Sequence, residues 1–500
     1  MSISAFLAAK IGDSGLDVGD VTVAGLRQAL DSGSLTSAGL TAFYMGRIER
    51  LNPELHAVIS VNPDAPAQAA ASDEARARGA ARGPLAGIPV LIKDNIAVAG
   101  QPATAGSPAL ASAESGDAFL VAGLRAAGAV ILGKANRSEW ANIRSPQSSS
   151  GWSTLGGQTV NPHGPGRNPS GSSSGSAAAV AAGLAPVAVG TETNGSIVSP
   201  ASVCGVVGLK PTVGLVSRAG VVPISAVQDT AGPMTRCVAD AAALLGPMAG
   251  PDPADPVTAQ AGSRPADYTA FLDPGALAGA RLGIWRDGSK AGHPATAAVL
   301  DAVVARLRAC GAEVVDPVPL PGAEQEWDPE LIALLHEFKH GLNAYLAALP
   351  GDDHPRTLAE LIDFNASHAD RVLAHFGQEF FEQAEATSGD LGDPAYLAAR
   401  GEAARLAHAA LDGALTGHRL DAVVSLTSGP ARMIDHLLGD ISEFSTSGPA
   451  AVCGYPSISV PAGQVAGLPV GMLLAGPAWS EPRLLALAFA FEQAPGPAIT

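Results

Sequence analysis

The residues best suited to chemistry cluster between Gly156 and Pro233. Ser170-Gly-Ser-Ser-Ser-Gly-Ser176 offers hydroxyls on a glycine-rich chain, and the small-residue run Ala177–Gly183 follows it. Small side chains allow tight turns and then close helix packing. Next comes Gly190-Thr-Glu-Thr-Asn-Gly-Ser196-Ile. Here a strand should end, Gly195 should turn the chain, and Ser196 should open a new segment. Consecutive backbone N–H groups at such a junction can converge on an anion. A hydroxyl beside preorganised donors is what acyl transfer needs for its tetrahedral oxyanion. Spacing alone leaves two readings open, a serine nucleophile and an ordinary Ser/Gly loop. A P-loop is disfavoured because its G-K-[ST] ending is missing, and no G-x-S-x-G elbow surrounds Ser196.

A second constellation competes. His336-Glu-Phe-Lys-His340 satisfies H-E-x-x-H on a helix expected over Leu331–Leu349. Two histidines at i and i+4 could share a zinc ion, with Glu337 as base, as in a metalloprotease. The glycine of the longer metzincin pattern is Asn343 here, and no third ligand follows at that spacing. The zinc reading is therefore the weaker one, and no metal or organic cofactor is expected. His163, His293, His354 and His436 read as surface or satisfied polar groups. Trp140 and Trp152 read equally as pocket lining or core.

These residues need a frame. Thr36 can cap a helix in which Leu40, Phe43, Tyr44, Ile48 and Leu51 recur at helical spacing before Pro53. A short strand at Ala57–Val61 and an Ala-rich helix ending near Gly79 complete a helical region over 1–80. From there strands and helices alternate. Ile88–Ile92 is a buried strand that delivers Lys93 at its end; Ala129–Leu132, Pro186–Gly190, Arg281–Trp285, Ala312–Val315, Asp421–Ser425, Ser457–Val460 and Val470–Leu474 are further strands. Helices are expected at Phe119–Ala127, Gly175–Leu184 and from Glu481 to about Glu492. This rhythm predicts an α/β fold, one large mixed, mostly parallel twisted sheet covered by helices on both faces in a single large domain. Residues 81–250 form the catalytic core and 251–500 the remainder of the same domain. The best candidate linker is Gly246–Pro265, and a helical cap follows over about 328–413.

The bulk numbers narrow the function. The chain has 500 residues, 47% of them hydrophobic and 15% charged, enough for a large core and too apolar for disorder. Its net charge of −17 repels phosphates, so nucleic acid and anionic membranes are disfavoured partners. Cys204, Cys237, Cys310 and Cys453 form no C-x-x-C pair and read as reduced, mostly buried thiols. The N-terminal stretch makes a poor secretory signal. No uncharged apolar run approaches the roughly 18 residues of a membrane span. A cytoplasmic enzyme, monomer or homodimer, is expected.

The run from Gly171 to Pro223 resembles the signature of the amidase-signature family. Gly87-Ile-Pro-Val-Leu-Ile-Lys93-Asp-Asn resembles that family's lysine block, and Gln228–Met234, Gly454–Pro461 and Gly467–Gly471 match its later blocks in order. Within the family the chain is most similar to bacterial peptide amidases. That likeness rests on Ser138-Glu-Trp-Ala-Asn142, Ser150-Gly-Trp-Ser153, the triple serine Ser172–Ser174, and Glu337-Phe-Lys with Leu342-Asn-Ala-Tyr345.

The resemblance implies the amidase-signature fold and a serine amidohydrolase with no cofactor. It makes Ser196 the nucleophile, Ser172 the relay and Lys93 the base, with a cis peptide bond at Gly171–Ser172. It implies an oxyanion hole from the N–H groups of Thr193, Asn194, Gly195 and Ser196. Candidates for substrate binding are Ser150, Gly151, Trp152 and Asp229. Lysine is a base only when neutral, which burial at a strand end would favour; Asp94 should point to the opposite face. Two positions depart from the family pattern. Asn194 stands where glycine is usual, and Val198 replaces an arginine that could partner Glu192. Small-molecule or peptide amides are the implied substrates, C-terminal peptide amides foremost. The alternatives are an acylamidase for anilides, lactams or carbamates, and an amidotransferase subunit working in a complex; the departure at Val198 argues against the last.

Overall fold

The computed structural model describes residues 3–495 except 12–13, 82, 290–292 and 442–443. Its strands are β1 (Val58–Val61), β2 (Pro89–Lys93), β3 (Val130–Ala135), β4 (Trp152–Ser153), β5 (Gly157–Gln158), β6 (Val187–Glu192), β7 (Val207–Lys210), β8 (Thr230–Thr235), β9 (Arg281–Ile284), β10 (Glu313–Val315), β11 (Ala422–Leu426), β12 (Ser457–Val465) and β13 (Leu468–Ala475). β4 and β5 make a small ribbon. The other eleven form one sheet in the order β1-β3-β2-β6-β8-β7-β12-β13-β11-β9-β10. Every residue of β2, β3, β6, β8, β11 and β13 is buried. Strands hidden on both sides require cover on both faces, and their continuous apolar runs carry that information in sequence.

The sheet is mixed, as the βα alternation predicts, but its parallel pairing is confined to two runs. β3, β2 and β6 are mutually parallel, as are β11, β9 and β10. Between these runs β6-β8-β7-β12-β13-β11 pair antiparallel, and β1 adds antiparallel to β3. Of the ten pairings in the large sheet, four are parallel and six antiparallel. One of these antiparallel pairings is made by a local turn. Ala466 and Gly467, at φ 52° and 78°, close β12 onto β13 as a two-residue hairpin. Positive φ at both positions matches the right-handed twist of the flanking strands.

The helix Ser174–Ala181 is buried at all eight positions. Its serine, glycine and alanine residues let it lie directly against the sheet. The helix starting at Ser37 has the expected cap, Thr36 Oγ1 accepting from Gly39 N at 3.0 Å, but runs two residues beyond Pro53 to Leu55. The stretch proposed as a linker is packed instead. The helix Val238–Met248 enters it, and Asp255 accepts from both the backbone and the guanidinium of Arg218.

Helices at Trp327–Ala348, Leu358–Ser367, Ala369–Val372, Glu379–Ala386 and Pro394–Gly417 occupy the region expected to form a cap. They rest on a second core in which Phe338, Leu342, Leu346, Leu358 and Phe381 meet Trp140 and Ile143. Cys204 is buried, whereas Cys237, Cys310 and Cys453 are half-buried, fewer buried thiols than expected; all four are free. Among the described residues no helix is long and apolar enough to cross a membrane.

Candidate active site

Strand ends deliver the site. β2 ends on Lys93, and β6 runs parallel beside it, bringing Thr191 alongside. Lys93 is fully buried. Its Nζ lies 2.8 Å from Ser172 Oγ, 2.8 Å from Thr191 Oγ1 and 3.0 Å from the Thr191 carbonyl. Burial, and then repulsion from Arg137, hold this amine well below the ordinary lysine range, against the pull of Glu192 and Asp229. The adjacent Asp94 does point away: it accepts from Thr104 Oγ1 and Gly106 N, with Lys134 Nζ at 3.8 Å.

The three consecutive serines separate here. Ser172 follows a cis peptide bond from Gly171 and reaches Lys93. Ser173 is pinned to β6, donating to the Thr191 carbonyl at 3.0 Å and accepting from Thr191 N at 3.2 Å. Ser174 folds back on the Ser170 carbonyl at 2.6 Å. A Cβ at Gly171 would collide with the Ser138 hydroxyl, so the approach of the relay loop needs glycine. Ser173 N also donates to the Ser196 carbonyl at 3.2 Å, joining the two serine-bearing segments.

Ser196 stands just before the helix Val198–Cys204, after Gly195 at φ 77°, and is 9% exposed. Glu192 Oε2 accepts from Ile197 N at 2.7 Å and Val198 N at 3.1 Å. The acid that lost an arginine partner is therefore held by the helix start. Its other oxygen, Oε1, is buried without a hydrogen-bond partner. The turn Thr193–Ser196 precedes these occupied donors and carries the candidate oxyanion N–H groups.

That turn is gripped from both sides. Thr193 Oγ1 donates to Asp229 Oδ1 at 2.5 Å, while Asp229 Oδ2 accepts from Ile224 N and Ser225 N. Burial pushes the Asp229 carboxyl up to about 6. Asn194 Nδ2 donates to both oxygens of Glu330 at 3.0 Å, and its Oδ1 accepts from Ser447 Oγ at 2.7 Å. Gln228 links the same Glu330 (2.6 Å) to Arg400 (2.5 Å), which pairs with Glu337 at 2.7 Å. Tyr396 and Ser225 hydroxyls complete Glu337. The glutamate of H-E-x-x-H is thus committed to structure. His336 and His340 each meet a main-chain carbonyl, of Ile332 and Gly389. Among the described residues no group of three or more His, Cys, Asp or Glu could hold a metal ion.

A cleft of about 410 Å³ opens over Gly171, Asn194 and Gly195. Of the candidate binding residues, Ser150 lines it, with its N–H on Asp440 Oδ1 at 3.0 Å. Asn142 also lines it, from a run in which Trp140, Ala141 and Asn142 all have positive φ, 50° to 70°. Asp229 lies behind the site in an enclosed pocket of about 20 Å³ shared with Ser172, Glu192 and Arg137. Gly151 donates its N–H to Ser138. Trp152 is buried edge-on against His375 and Phe376 with Arg144 over its ring, a packing position. Sequence reasoning missed Thr191, Gln228, Glu330, Arg400 and Ser447. Thr191 and Gln228 fall inside motifs already noted, but nothing local gives their partners; Glu330, Arg400 and Ser447 carry no motif, and every one of the five acts on residues distant in the chain.

A family model described as Amidase matches residues 39–485. A probable amidase of Arabidopsis thaliana is 42% identical over 493 residues, 96% of this chain and 91% of its own. The native peptide amidase of Stenotrophomonas maltophilia superposes with a TM-score of 0.90 at 50% identity, covering 95% of this chain and 96% of that one. One subunit of the glutamyl-tRNA(Gln) amidotransferase of Methylococcus capsulatus is 36% identical over 485 residues, 95% of this chain and 96% of its own.

Proposed function

From the premise that the chain belongs to the amidase family and is a hydrolase of C–N bonds, we propose that it cleaves carboxamides through an acyl-enzyme on Ser196, foremost the C-terminal amides of peptides. The observation that carries this reading is Lys93 Nζ, buried and 2.8 Å from Ser172 Oγ. A serine hydroxyl is a poor nucleophile until a base takes its proton. A buried amine held well below the ordinary lysine range gives up its proton more readily and can act as such a base. Ser172 passes its proton to Lys93 and receives that of Ser196 as Oγ attacks the amide carbon. The N–H groups of Thr193–Ser196 hold the oxyanion. The proton returns through Ser172 to the departing ammonia or amine, and water then releases the acid. No step calls for a metal or organic cofactor.

The substrate preference rests on the likeness to peptide amidases and on a polar cleft opening beside Ser196. The reduced cysteines favour a cytoplasmic enzyme, monomeric or homodimeric, that needs no partner. The relatives that are amidotransferase subunits supply the second reading, work within a complex. One experiment separates these: the purified chain, without ATP or partner, should release ammonia from amidated dipeptides in preference to anilides. Ser196→Ala should lose both turnover and covalent labelling by a fluorophosphonate; a variant that still labels would overturn the assignment.

A further inference from the structure

The wall of the cleft facing Gly195 is acidic. Glu324, Glu326, Glu330 and Asp440 line it with Trp285 and Trp327, and its described lining contains no lysine, arginine or histidine. The carboxylates differ in their commitments. Both oxygens of Glu330 are taken by Asn194, with Gln228 adding a second donor. Asp440 accepts from Ser150 N and Asn168 Nδ2. Glu326 is 4% exposed, and its Oε2 is buried with no hydrogen-bond partner. It stands at the N-cap of the helix Trp327–Ala348 yet makes no capping bond with its side chain. A buried carboxyl oxygen without a donor costs stability unless a ligand supplies one.

We propose that this wall is a subsite for a cation, the ammonium or guanidinium of a peptide amide, held by Glu326 and the indoles of Trp285 and Trp327 while the carboxamide lies over Gly195. The chemistry fits each part. A cation supplies the donor that Glu326 Oε2 lacks. Trp327, 52% exposed, and Trp285, buried, both line the cleft, where indole rings attract a desolvated cation. Burial, with repulsion from Glu330, pushes the Glu326 carboxyl up to about 9, which a bound cation would offset. Arg400 reaches Glu330 through Gln228, and no basic side chain lines the cleft beside Glu326. The proposal rests on the amide-hydrolase reading and adds a substrate class to it.

The test compares ammonia release by wild type and Glu326→Gln from two pairs of dipeptide amides. One arm sets an acetylated arginine-containing dipeptide amide against its citrulline isostere. The other sets a free N-terminus against an acetylated one on a neutral sequence. Wild type should favour the charged member of at least one pair by about tenfold in kcat/KM, and Glu326→Gln should erase that preference while changing the neutral reference less than about twofold. The arm showing the preference identifies the cation as side chain or terminus. Equal rates within both pairs, or a preference that survives in Glu326→Gln, would overturn the subsite. Failure of wild type to release ammonia from any of them would instead remove the hydrolase reading beneath it. A variant-free check is competitive inhibition of wild type by butylguanidinium but not by butanol; equal inhibition contradicts the proposal.

Discussion

The two sides of the candidate site, behind the cleft and above it, are built on different principles. On the sheet side, Lys93, Ser172 and Ser173 are positioned by backbone: strand ends, a cis peptide at Gly171–Ser172 and main-chain hydrogen bonds to β6. On the cap side, Glu330 and Glu337 are positioned by side chains, in a chain of hydrogen bonds through Asn194, Gln228 and Arg400. The first rests on fully buried strands, the second on a separate core joined to Trp140 and Ile143. The difference teaches where precision is spent. Lys93 sits on a strand and Ser172 and Ser173 are tied to it and to β6, whereas Glu330 and Glu337 hang on a helix packed over the sheet. Side-chain networks lose their geometry when one member is removed, and backbone frames do not.

Perturbations should reveal this asymmetry. The largest effect is expected at the base. Lys93→Ala should lower kcat by on the order of 10³, the usual worth of a general base, with the fold unchanged by circular dichroism; near-normal turnover would break the sheet-side assignment. Next is the pH profile. Lysine serves as base only when neutral, so activity should rise with pH through the Lys93 titration. Because its pKa is lowered, that acid limb should lie well below the roughly 10.4 of free lysine. A limb at the ordinary lysine position would contradict the buried amine. Smaller is the cap-side change. Glu330→Ala frees Asn194 and should cost about tenfold in kcat/KM, the worth of a charge-assisted hydrogen bond, sensed through the oxyanion turn. Smallest of all, His336→Ala combined with His340→Ala should leave kcat/KM within about twofold, since the rings meet main-chain carbonyls and, for His336, the Tyr396 ring, and neither reaches the cleft. A large loss, restored by Zn²⁺, would revive the metal reading.

Much of the sheet side was legible from the chain. Apolar runs located β2, β6 and β11 to within two residues and β3 to within three, since a strand buried on both faces must be continuously hydrophobic. Pairing direction was not legible for the middle of the sheet. It depends on which strands meet, and short connections such as Ala466-Gly467 turn them antiparallel. The cap side was almost silent. Glu330 and Gln228 lie in ordinary helical and loop sequence, and their partners come together only in space.

By itself the sequence determined the chemistry on offer: a buried lysine at a strand end, a glycine turn before Ser196, and small residues that allow close approach. Local steric and hydrophobic rules suffice for these. The family likeness pointed to Ser172, but only the tertiary structure gives a physical reason to separate Ser172, Ser173 and Ser174, sending the first to Lys93, the second to β6 and the third to Ser170. Identical side chains in adjacent positions carry no internal distinction; the direction each one points, and what waits there, is decided by the packing of distant segments.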